Sequence, residues 1–353
     1  METKDRPYLI AGPCSAESES QVFETARRLC GVGVDAFRAG IWKPRTRPGC
    51  FEGVGEPGLA WLSRVRDELG MRVCTEVAVP QHVEACLRAG IDMVWIGART
   101  TASPFLVQEL ADAVAGTGIS VFIKNPVNPD LSLWCGAVER FERAGVGDIG
   151  LIHRGFSSFE NMGYRNAPQW QIAAEMRRLH PSLSLLCDPS HMGGRAESVR
   201  ELSQRAMDLG FDGLMVEAHR SPAEALSDAG QQVTPEMLAE MLSGLKLRNM
   251  SAVSSEYDSS VSVIRARIDA LDESLLRTLA LRMELCREIG ARKKAGNVAI
   301  LQPSRWDDVL RSVTGKAREL GLDPDFVVDV FNSIHAASIA EQNIILEKDD
   351  SKN

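Results

Sequence analysis

The feature that most constrains the fold of this chain is a regular alternation of short apolar runs with helical patterns. Eight such runs recur along residues 8–218: YLIAGPC, DAFRAG, RVCTEV, MVWIGA, SVFIKN, DIGLIH, LSLLCD and GLMVEA. The stretches between them, such as SQVFETARRLCGVG, have helical periodicity and often end in glycine, a usual residue after a helix. Mostly continuous apolar strands separated by helices indicate a parallel sheet that helices cover.

The number of these repeats favours one architecture among the parallel α/β folds. Eight strand–helix units over about 240 residues match the size and strand count of a (β/α)8 TIM barrel. A doubly wound open sheet is the alternative, but no GxGxxG turn follows the first run, so we favour the barrel. In a barrel, the functional side chains are expected at the C-terminal ends of the strands.

The sequence changes character after the eighth unit, which predicts a second domain. We predict a barrel over residues 1–247, a Ser-rich linker over 248–260 and an all-α domain over 261–353. Apolar residues recur at helical spacing at the start of that domain: Ile264, Ile268, Leu271, Leu275, Leu279 and Leu285. Two further helical segments follow, at roughly 304–320 and 324–346. Three helices alone make a thin core, so we expect this domain to form a homodimer.

Composition and charge argue against several classes of function. A net charge of −8, a pI near 5.4 and only 6% aromatic residues disfavour a nucleic-acid-binding surface. The opening METKDRPYLI lacks the apolar run of a signal peptide, and no segment approaches a membrane span, so we expect no membrane partner. Eight cysteines without a CxxC pair indicate reduced thiols and a cytoplasmic location.

Residues able to bind a metal or an anion stand at the end of every predicted strand. They are Cys14, Arg38, Lys43, Glu76, Arg99, Lys124, His153, Arg154, Asp188, His191 and Glu217. Five of them are cations expected at one barrel mouth: Arg38, Lys43, Arg99, Lys124 and Arg154. Converging cations repel each other unless anions neutralise them, so we expect a site for phosphorylated or carboxylated small molecules. Each cation alone is more readily explained as a solvated or ion-paired side chain.

Three of these positions offer metal ligands, Cys14, His191 and Glu217, and Asp228 further along the chain offers a fourth. Thiolate, imidazole and carboxylate together suit a divalent transition metal better than magnesium or calcium. No local spacing motif supports a metal, so this interpretation depends on the predicted strand ends.

Five short motifs carry a resemblance to a known family. In chain order, GPCS (12–15), KPRT (43–46), IGAR (96–99), DPSH (188–191) and ALSD (225–228) resemble 3-deoxy-D-arabino-heptulosonate 7-phosphate (DAHP) synthases. The similarity is to the short type I-beta branch and covers residues 7–246. It implies that phosphoenolpyruvate condenses with erythrose 4-phosphate. It also implies a metal on Cys14, His191, Glu217 and Asp228, expected to be Mn2+, with Fe2+, Co2+ or Zn2+ as alternatives.

The same resemblance implies residues for each substrate. For phosphoenolpyruvate they are Arg38, Lys43, Arg99, Lys124 and Arg154, of which Lys43 and Lys124 are also catalytic. For erythrose 4-phosphate they are Lys43, Pro44, Arg45, Thr46 and Asp188. Many relatives read Glu-Arg-Gly where this chain has His153-Arg154-Gly155. The related KDO-phosphate synthases are the competing family, but their corresponding run typically lacks Pro-Arg-Thr after the lysine.

Polar residues of the helical domain also share faces. Arg282 and Lys293 are nearly in phase on the first predicted helix, whereas Arg265 is about 100° out of that phase. Ser338 and Gln342, at i and i+4, share a face of the last helix. An arginine out of phase is suited to a site in a partner chain.

The segment IRARIDALDESLLRTLALRMELCREIGARKK resembles the all-helical chorismate mutases, and the similarity covers about residues 261–345. It implies the rearrangement of chorismate to prephenate. The implied binding residues are Arg265, Arg282, Lys293, Arg305, Ser338 and Gln342. Lys293 and Gln342 are catalytic, because they hydrogen-bond the ether oxygen as it gains negative charge. Gln302 and Trp306 stand where better-known relatives have acids.

The alternative for the tail is a dimerisation or effector-binding module without catalysis. The complete ether-oxygen pair and the three arginines favour catalysis. The two resemblances imply that the chain combines the first step of aromatic amino-acid biosynthesis, in the barrel, with a late step, in the tail. We therefore also expect prephenate to inhibit the barrel by binding the tail. The effector is expected to work through docked and undocked states of the two domains.

Overall fold

The structure is a computed structural model that describes residues 6–43, 49–158, 163–248 and 255–347. The chain divides into two compact units, Met1–Ser251 and Ala252–Asn353. Strands and helices alternate in the first unit, whereas the described part of the second is helical. None of the helices in the described ranges is both long and apolar enough to cross a membrane.

Eight parallel strands form a closed barrel in chain order, with the eighth strand hydrogen-bonded to the first. They are β1 (Tyr8–Gly12), β2 (Ala36–Arg38), β3 (Val73–Val77), β4 (Met93–Ile96), β5 (Ser120–Lys124), β6 (Ile149–His153), β7 (Ser184–Cys187) and β8 (Gly213–Glu217). Each strand lies within the run predicted for it. The predicted (β/α)8 barrel is therefore confirmed.

Helices connect successive strands and cover the outside of the barrel. They are α1 (Glu19–Leu29), α2 (Pro57–Leu69), α3 (Pro80–Arg88), α4 (Ala98–Thr101), α5 (Pro104–Val114), α6 (Leu131–Arg143), α7 (Trp170–Leu179), α8 (Pro189–Gly193), α9 (Glu197–Asp208) and α10 (Pro235–Ser243). Local signals set several starts: Ser18 and Asp130 accept hydrogen bonds from backbone N–H groups in the first turns of α1 and α6. Proline opens α2, α3, α5, α8 and α10, where its missing N–H leaves no helical bond unmade.

Apolar side chains fill two layers of this unit. Successive strand residues point to opposite faces, so Leu9 packs against the helices whereas Ile10 lies inside the barrel. The interior layer also contains Met93, Trp95, Phe122 and Met215. These side chains fill the barrel below its mouth. The polar residues at the C-terminal strand ends therefore lie over a packed apolar floor.

The second unit consists of α11 (Ser255–Ala295), α12 (Pro303–Glu319) and α13 (Pro324–Glu347), with α13 packed against both other helices. The three predicted helices are thus present. However, α11 begins at Ser255, so residues 255–260 are helical where a linker was predicted, and residues 249–254 lie outside the described ranges. A lack of apolar periodicity does not exclude a helix here, because elongating a formed helix adds a backbone hydrogen bond for each non-proline residue fixed.

This helical unit buries little apolar surface by itself. Among its described residues, the buried apolar side chains are Cys286, Ala317 and Val327. By contrast, Ile264, Ile268, Leu271 and Leu275 of α11 are each at least half exposed. One apolar stripe of α11 is therefore left open to a further partner.

Candidate active site

Three potential metal ligands meet at the barrel mouth. The thiol of Cys14 follows β1, the carboxylate of Glu217 ends β8, and Asp228 lies in the loop after β8. One ligand atom from each lies within 4.8 Å of the other two. The register of the barrel explains part of this meeting, because Gly12 at the end of β1 pairs with Glu217. Asp228 joins them from a loop, with its backbone in the left-handed region (φ 49°).

His191 borders this cluster and is oriented by Asp188. Asp188 begins the short helix α8, and its Oδ1 accepts a hydrogen bond from the His191 N–H (3.0 Å). Its Oδ2 lies 2.8 Å from His191 Nδ1, which places the ring proton on Nδ1. The unprotonated Nε2 then faces Glu217 Oε1 at 3.6 Å. Burial lowers the pKa of His191, which favours the neutral imidazole that binds metals.

The electrostatics of these groups fit a divalent transition metal. Burial and the neighbouring Glu217 raise the pKa of Cys14 to about 12, so without a metal the thiol stays protonated. Glu217 Oε1 is buried and accepts no hydrogen bond, although Arg38 Nη2 lies 3.1 Å away as its charge partner. Burial opposes the ionisation of Asp228, but Arg165, His191 and Lys43 outweigh it and lower its pKa. A bound cation would satisfy the orphaned oxygen and ionise the thiol.

A cation-rich cavity lies beside this cluster. Its ionisable lining consists of Lys43, Glu76, Arg99, Lys124, Arg154, Arg165, His191 and Asp228. Lys43 belongs to both regions, since its Nζ donates to the Sγ (3.1 Å) and carbonyl oxygen (3.0 Å) of Cys14. Lysines and arginines outnumber carboxylates in this lining. The cavity is therefore suited to small anions with several negative charges.

Two of the cations are held tightly by neighbours. Lys124 Nζ donates to Asp188 Oδ2 at 2.7 Å, and burial lowers its pKa despite this partner. Arg154 Nη1 donates to Asn166 Oδ1 at 2.7 Å, and burial lowers its pKa to about 10. Positively charged groups that are desolvated in this way gain most from a bound anion.

Four of the five predicted phosphoenolpyruvate residues line the cavity, and Arg38 does not. Arg38 is 1% exposed, lies over the Trp95 ring (4.8 Å from guanidinium carbon to ring centroid) and neutralises Glu217. It is thus placed to hold a metal-ligand candidate. Of the predicted erythrose 4-phosphate residues, Lys43 and Asp188 lie at the mouth, and Pro44, Arg45 and Thr46 lie outside the described residues.

His153 was expected among the strand-end ligands, and this expectation is wrong. Its ring is buried in the helix layer between Trp134, Phe156 and Trp170, and its Nε2 lies 2.6 Å from the carbonyl oxygen of Pro168. The alternation of strand side chains explains this, because Arg154 and His153 must point to opposite sides. Burial lowers the pKa of His153 to about 4, so it is neutral.

Sequence reasoning missed other residues of the mouth. Arg165 comes from the loop after β6, and its Nη1 donates to Asp228 Oδ1 (3.1 Å). Glu76 was noted only as a strand end, yet its Oε2 accepts a hydrogen bond from Trp95 Nε1 (3.0 Å). A Cβ on Gly97 would lie 2.0 Å from Glu76 Oε1, so this approach requires glycine. No spacing in the sequence signals Arg165, because it lies far from any strand end.

The helical unit has a polar cluster of its own between α11 and α13. Arg282 Nη1 donates to Ser338 Oγ (2.5 Å), and Gln342 is buried one turn further along α13. A Cβ on Gly290 would lie 3.2 Å from the Gln342 Cα, so the small residue allows this close approach. Gln342 Oε1 is buried without a hydrogen-bond partner. Lys293 Nζ donates to the Ile300 carbonyl (2.6 Å), just before α12.

The other two predicted chorismate-binding residues, Arg305 and Arg265, are exposed on their helices. Arg305 is exposed on α12, beside Trp306, whose ring stacks on His335 with centroids 3.9 Å apart. Arg265 is exposed on α11, seventeen residues before Arg282. In a continuous α-helix that separation is about 25 Å along the axis. Arg265 is therefore too distant to complete the Arg282 cluster of its own chain.

Comparisons with known proteins agree with this division into two parts. Residues 2–251 match the DAHP synthetase I family, and residues 264–343 match chorismate mutase type II. The phospho-2-dehydro-3-deoxyheptonate aldolase of Thermotoga maritima is 34% identical over 239 residues, covering 67% of this chain and 68% of the relative. The 2-dehydro-3-deoxyphosphooctonate aldolase of a Synechococcus species is 31% identical over 265 residues, covering 69% and 89%.

Solved structures give the same picture for the barrel. The crystal structure of the phospho-2-dehydro-3-deoxyheptonate aldolase (DAHP synthase) of Thermotoga maritima is similar with a TM-score of 0.61 and 33% identity, covering 67% of each chain. A truncated form of the 3-deoxy-D-arabino-heptulosonate 7-phosphate synthase of the same organism has a TM-score of 0.58 and 31% identity, covering 67% of this chain and 84% of that one.

Proposed function

Because the chain belongs to the DAHP synthetase I family and carries a type II chorismate mutase domain, we propose how its residues divide the work of the two reactions. The fused architecture expected from the sequence is confirmed, and the chain is a bifunctional shikimate-pathway enzyme.

We assign the barrel reaction to the metal-ligand cluster around Cys14 together with the cation-rich cavity beside it. The observation that carries this assignment is Lys43, which contacts Cys14 Sγ and also lines the cation-rich cavity. Phosphoenolpyruvate is placed in the cavity, where Arg99, Lys124 and Arg154 face its phosphate and carboxylate. Erythrose 4-phosphate is placed with its aldehyde towards Asp188 and its phosphate towards Lys43 and the KPRT run.

In the proposed condensation, the enol carbon of phosphoenolpyruvate attacks the aldehyde carbon of erythrose 4-phosphate. When bound on Cys14, His191, Glu217 and Asp228, a divalent metal supplies Lewis-acid polarisation at the aldehyde oxygen. Lys124 holds a proton next to Asp188, and burial lowers its pKa, so we assign it as the acid for the developing alkoxide. Water adds at C2 of the pyruvyl unit, the C2–O bond to the phosphate breaks, and the proton of the C2 hydroxyl leaves with the phosphate. Arg99 and Arg154 stabilise the departing phosphate.

Metal dependence is tested by removing either the metal or its thiol ligand. Chelation should abolish condensation, and Mn2+, Fe2+, Co2+ and Zn2+ added back singly should identify the metals that restore it. Cys14→Ala should be folded and inactive, whereas Cys30→Ala, at an exposed thiol of the same barrel, should keep its activity. Full condensation activity of metal-stripped protein would contradict the proposal.

The second candidate substrate is arabinose 5-phosphate, because several relatives are 2-dehydro-3-deoxyphosphooctonate aldolases. The KPRT run following β2 favours erythrose 4-phosphate, since it adds a further cation, Arg45, two residues after Lys43 in the sequence. Steady-state kinetics with each aldose as the second substrate decide the question. A higher specificity constant with arabinose 5-phosphate would reverse this assignment.

The mutase reaction is assigned to the polar cluster of the helical unit. Arg282 and Arg305 are proposed to bind the chorismate carboxylates. Lys293 and Gln342 are proposed to donate hydrogen bonds to the ether oxygen, which gains negative charge as its bond breaks. Gln342 is already buried in place between α11 and α13. Chorismate loss and prephenate formation by the full chain test the assignment, and an inactive chain would favour a dimerisation or effector-binding role.

We propose a homodimer formed through α11. The exposed apolar stripe that begins with Ile264, Ile268 and Leu271 supports it, as does the small buried core of the unit. In such a dimer, Arg265 of one chain would complete the site of the other, because about 25 Å of helix separates it from Arg282. Sedimentation of the full chain and of Leu271→Glu tests the interface, and unchanged association of the variant would argue against it.

We further propose that prephenate inhibits condensation by binding the helical unit. A coupling between two sites is typically worth about 1–3 kcal/mol, or about 5- to 150-fold in affinity. Condensation assays with and without prephenate should show inhibition of the full chain and none in Arg282→Ala or in a chain truncated near residue 251. Inhibition that persists in both altered proteins would place the effector on the barrel.

A further inference from the structure

The carboxylate of Glu17 joins the two segments that supply Cys14 and Asp228. Its Oε1 accepts a hydrogen bond from Ser15 Oγ (3.1 Å), one residue after Cys14. The same oxygen accepts a hydrogen bond from the backbone N–H of Leu226 (2.8 Å), two residues before Asp228. Glu17 itself contacts neither the metal-ligand candidates nor the cation-rich cavity within the described residues.

The two segments also meet directly beside Glu17. Ser15 Oγ lies 2.5 Å from Ser227 Oγ, and both serines are buried. Gln232 makes a second link, because its Oε1 accepts from the Cys14 N–H (3.0 Å) and its Nε2 donates to the Ser227 carbonyl (2.9 Å). Loss of Glu17 would therefore weaken the contact between the two segments, but the Ser15–Ser227 and Gln232 hydrogen bonds would remain.

The other oxygen of Glu17 faces a histidine of fixed tautomer. His219 is 1% exposed, and its Nδ1 accepts a hydrogen bond from the Ser221 N–H (2.9 Å). The ring proton is therefore on Nε2, which points towards Glu17 Oε2 at 3.8 Å. Both carboxylate oxygens of Glu17 thus face donors. A neutral amide at this position would set its NH2 group against one of them.

Asp228 needs such support because its backbone is in an unfavourable region. Its φ of 49° and ψ of 37° are left-handed values that non-glycine residues adopt only when their surroundings hold them. The hydrogen bonds to Leu226 and Ser227 hold the two residues that precede it. Asp228 Oδ2 accepts a hydrogen bond from the thiol of Cys14 at 3.3 Å. A shift of the loop would therefore change the distance between these two ligand atoms.

We propose that Glu17 is a positioning residue for the metal site. Its carboxylate fixes the distance between the Cys14 and Asp228 ligand atoms and so increases the affinity for a divalent transition metal. This inference rests on the metal site proposed above, and it concerns a residue that touches neither metal nor substrate.

The test measures binding of Co2+ alone to the full chain. Thiolate ligation of Co2+ gives an absorption band that reports the Cys14 contact independently of catalysis. Glu17→Gln keeps the side-chain volume, and loss of a residue that orients metal ligands typically weakens binding about 10- to 100-fold. We expect the dissociation constant of Glu17→Gln to rise by about tenfold, with a weaker thiolate band at equal occupancy.

Two further variants make the result specific. Glu19→Gln removes the same charge from an exposed position two residues away, where the carboxylate pairs with Arg64, and it should bind Co2+ like the unaltered protein. Ser227→Ala cuts the Ser15 contact and leaves the charge of Glu17 in place, and it should also weaken binding. Circular dichroism and thermal melting identify the variants that are folded.

The outcomes separate this inference from the proposed metal site. If the unaltered chain binds no Co2+, the proposed metal site is contradicted, and the proposed role of Glu17 is contradicted with it. If the unaltered chain binds Co2+ and folded Glu17→Gln binds it equally well, only the positioning role is overturned. If Glu17→Gln does not fold, equal binding by folded Ser227→Ala overturns it. An equal loss of affinity in Glu19→Gln would likewise overturn it, since charge alone would then explain the effect.

Discussion

The Nδ1 of His191 lies 2.8 Å from Oδ2 of Asp188, the same oxygen that accepts a hydrogen bond from Lys124 at 2.7 Å. Burial opposes the ionisation of Asp188, but His191 and Lys124 outweigh it and hold its pKa well below the ordinary value. One buried carboxylate therefore connects a proposed metal ligand with a cation of the substrate cavity.

Asp188→Asn should weaken metal binding and substrate turnover together. The amide keeps the shape of the side chain but loses the charge that orients the imidazole and balances Lys124. We expect metal affinity to fall about 10- to 100-fold, as is usual when a residue that orients a metal-bound histidine is altered. Co2+ titration measures it. Asp148→Asn is the matched control, because Asp148 accepts a hydrogen bond from Ser120 at the opposite end of the barrel. Unchanged metal affinity in Asp188→Asn would remove this role.

Lys124→Met and Arg99→Ala should impair the use of phosphoenolpyruvate. Each removes a charged hydrogen-bond donor worth about 1.5–3 kcal/mol, which corresponds to about a 10- to 150-fold loss in kcat/KM. Steady-state kinetics with phosphoenolpyruvate varied measure the loss. Arg143→Ala, at a side chain that is 83% exposed on α6, should leave the constant unchanged. An unchanged constant in Lys124→Met or Arg99→Ala would contradict the placement of the phosphoenolpyruvate site.

Each mutase site should need two chains. Arg265→Ala and Lys293→Ala should each be inactive alone. Mixed under conditions of subunit exchange, equal amounts should recover about a quarter of the mutase activity, since half of the dimers are hybrids with one intact site. Lys293→Ala mixed with Arg282→Ala is the control. One chain contributes both Lys293 and Arg282 to a site, so each chain of a hybrid dimer has a defective site and no activity should return. Failure to recover activity despite proven exchange would mean that one chain builds the whole site.

Stability should fall as the pH is lowered, through His153. The folded chain protonates it only near pH 4, whereas the unfolded chain does so near 6.5. Between these values the unfolded state binds more protons, so stability is fully present above pH 6.5 and is lost as pH falls towards 4. The loss is about 3 kcal/mol in total, from about 1.4 kcal/mol for each pH unit.

Denaturant unfolding at several pH values checks this prediction. His153→Gln should be less dependent on pH over this interval, because its amide can still donate to the Pro168 carbonyl without titrating. His180→Gln leaves the buried ring of His153 in place, so this variant should keep the pH dependence of stability of the unaltered chain. Identical pH profiles for His153→Gln and the unaltered chain would show that the buried imidazole is not responsible.

The barrel and the helical unit follow from the sequence pattern, which also predicts most of the residues that line the barrel mouth. Strand and helix periods are local properties, and residues such as Cys14, Lys124 and Glu217 directly follow or end apolar strands. Because parallel strands of a barrel end on one side, the terminal residues whose side chains alternate to the inside meet there. The same alternation of side chains would also have placed His153 away from Arg154, had it been applied to that strand.

The loop residues that reach this mouth, and the neighbours that hold them, depend on how the whole chain folds. Arg165 comes from a loop whose path no periodicity encodes. Asp228, which the ALSD motif predicted, joins the cluster with a left-handed backbone that the sequence pattern does not indicate. Glu17 meets Leu226 across 209 residues of sequence, and Arg282 meets Ser338 across 56. Such contacts depend on the packing of whole elements, because a side chain's distant partners, burial and pKa are set by the folded surroundings and not by its sequence neighbours.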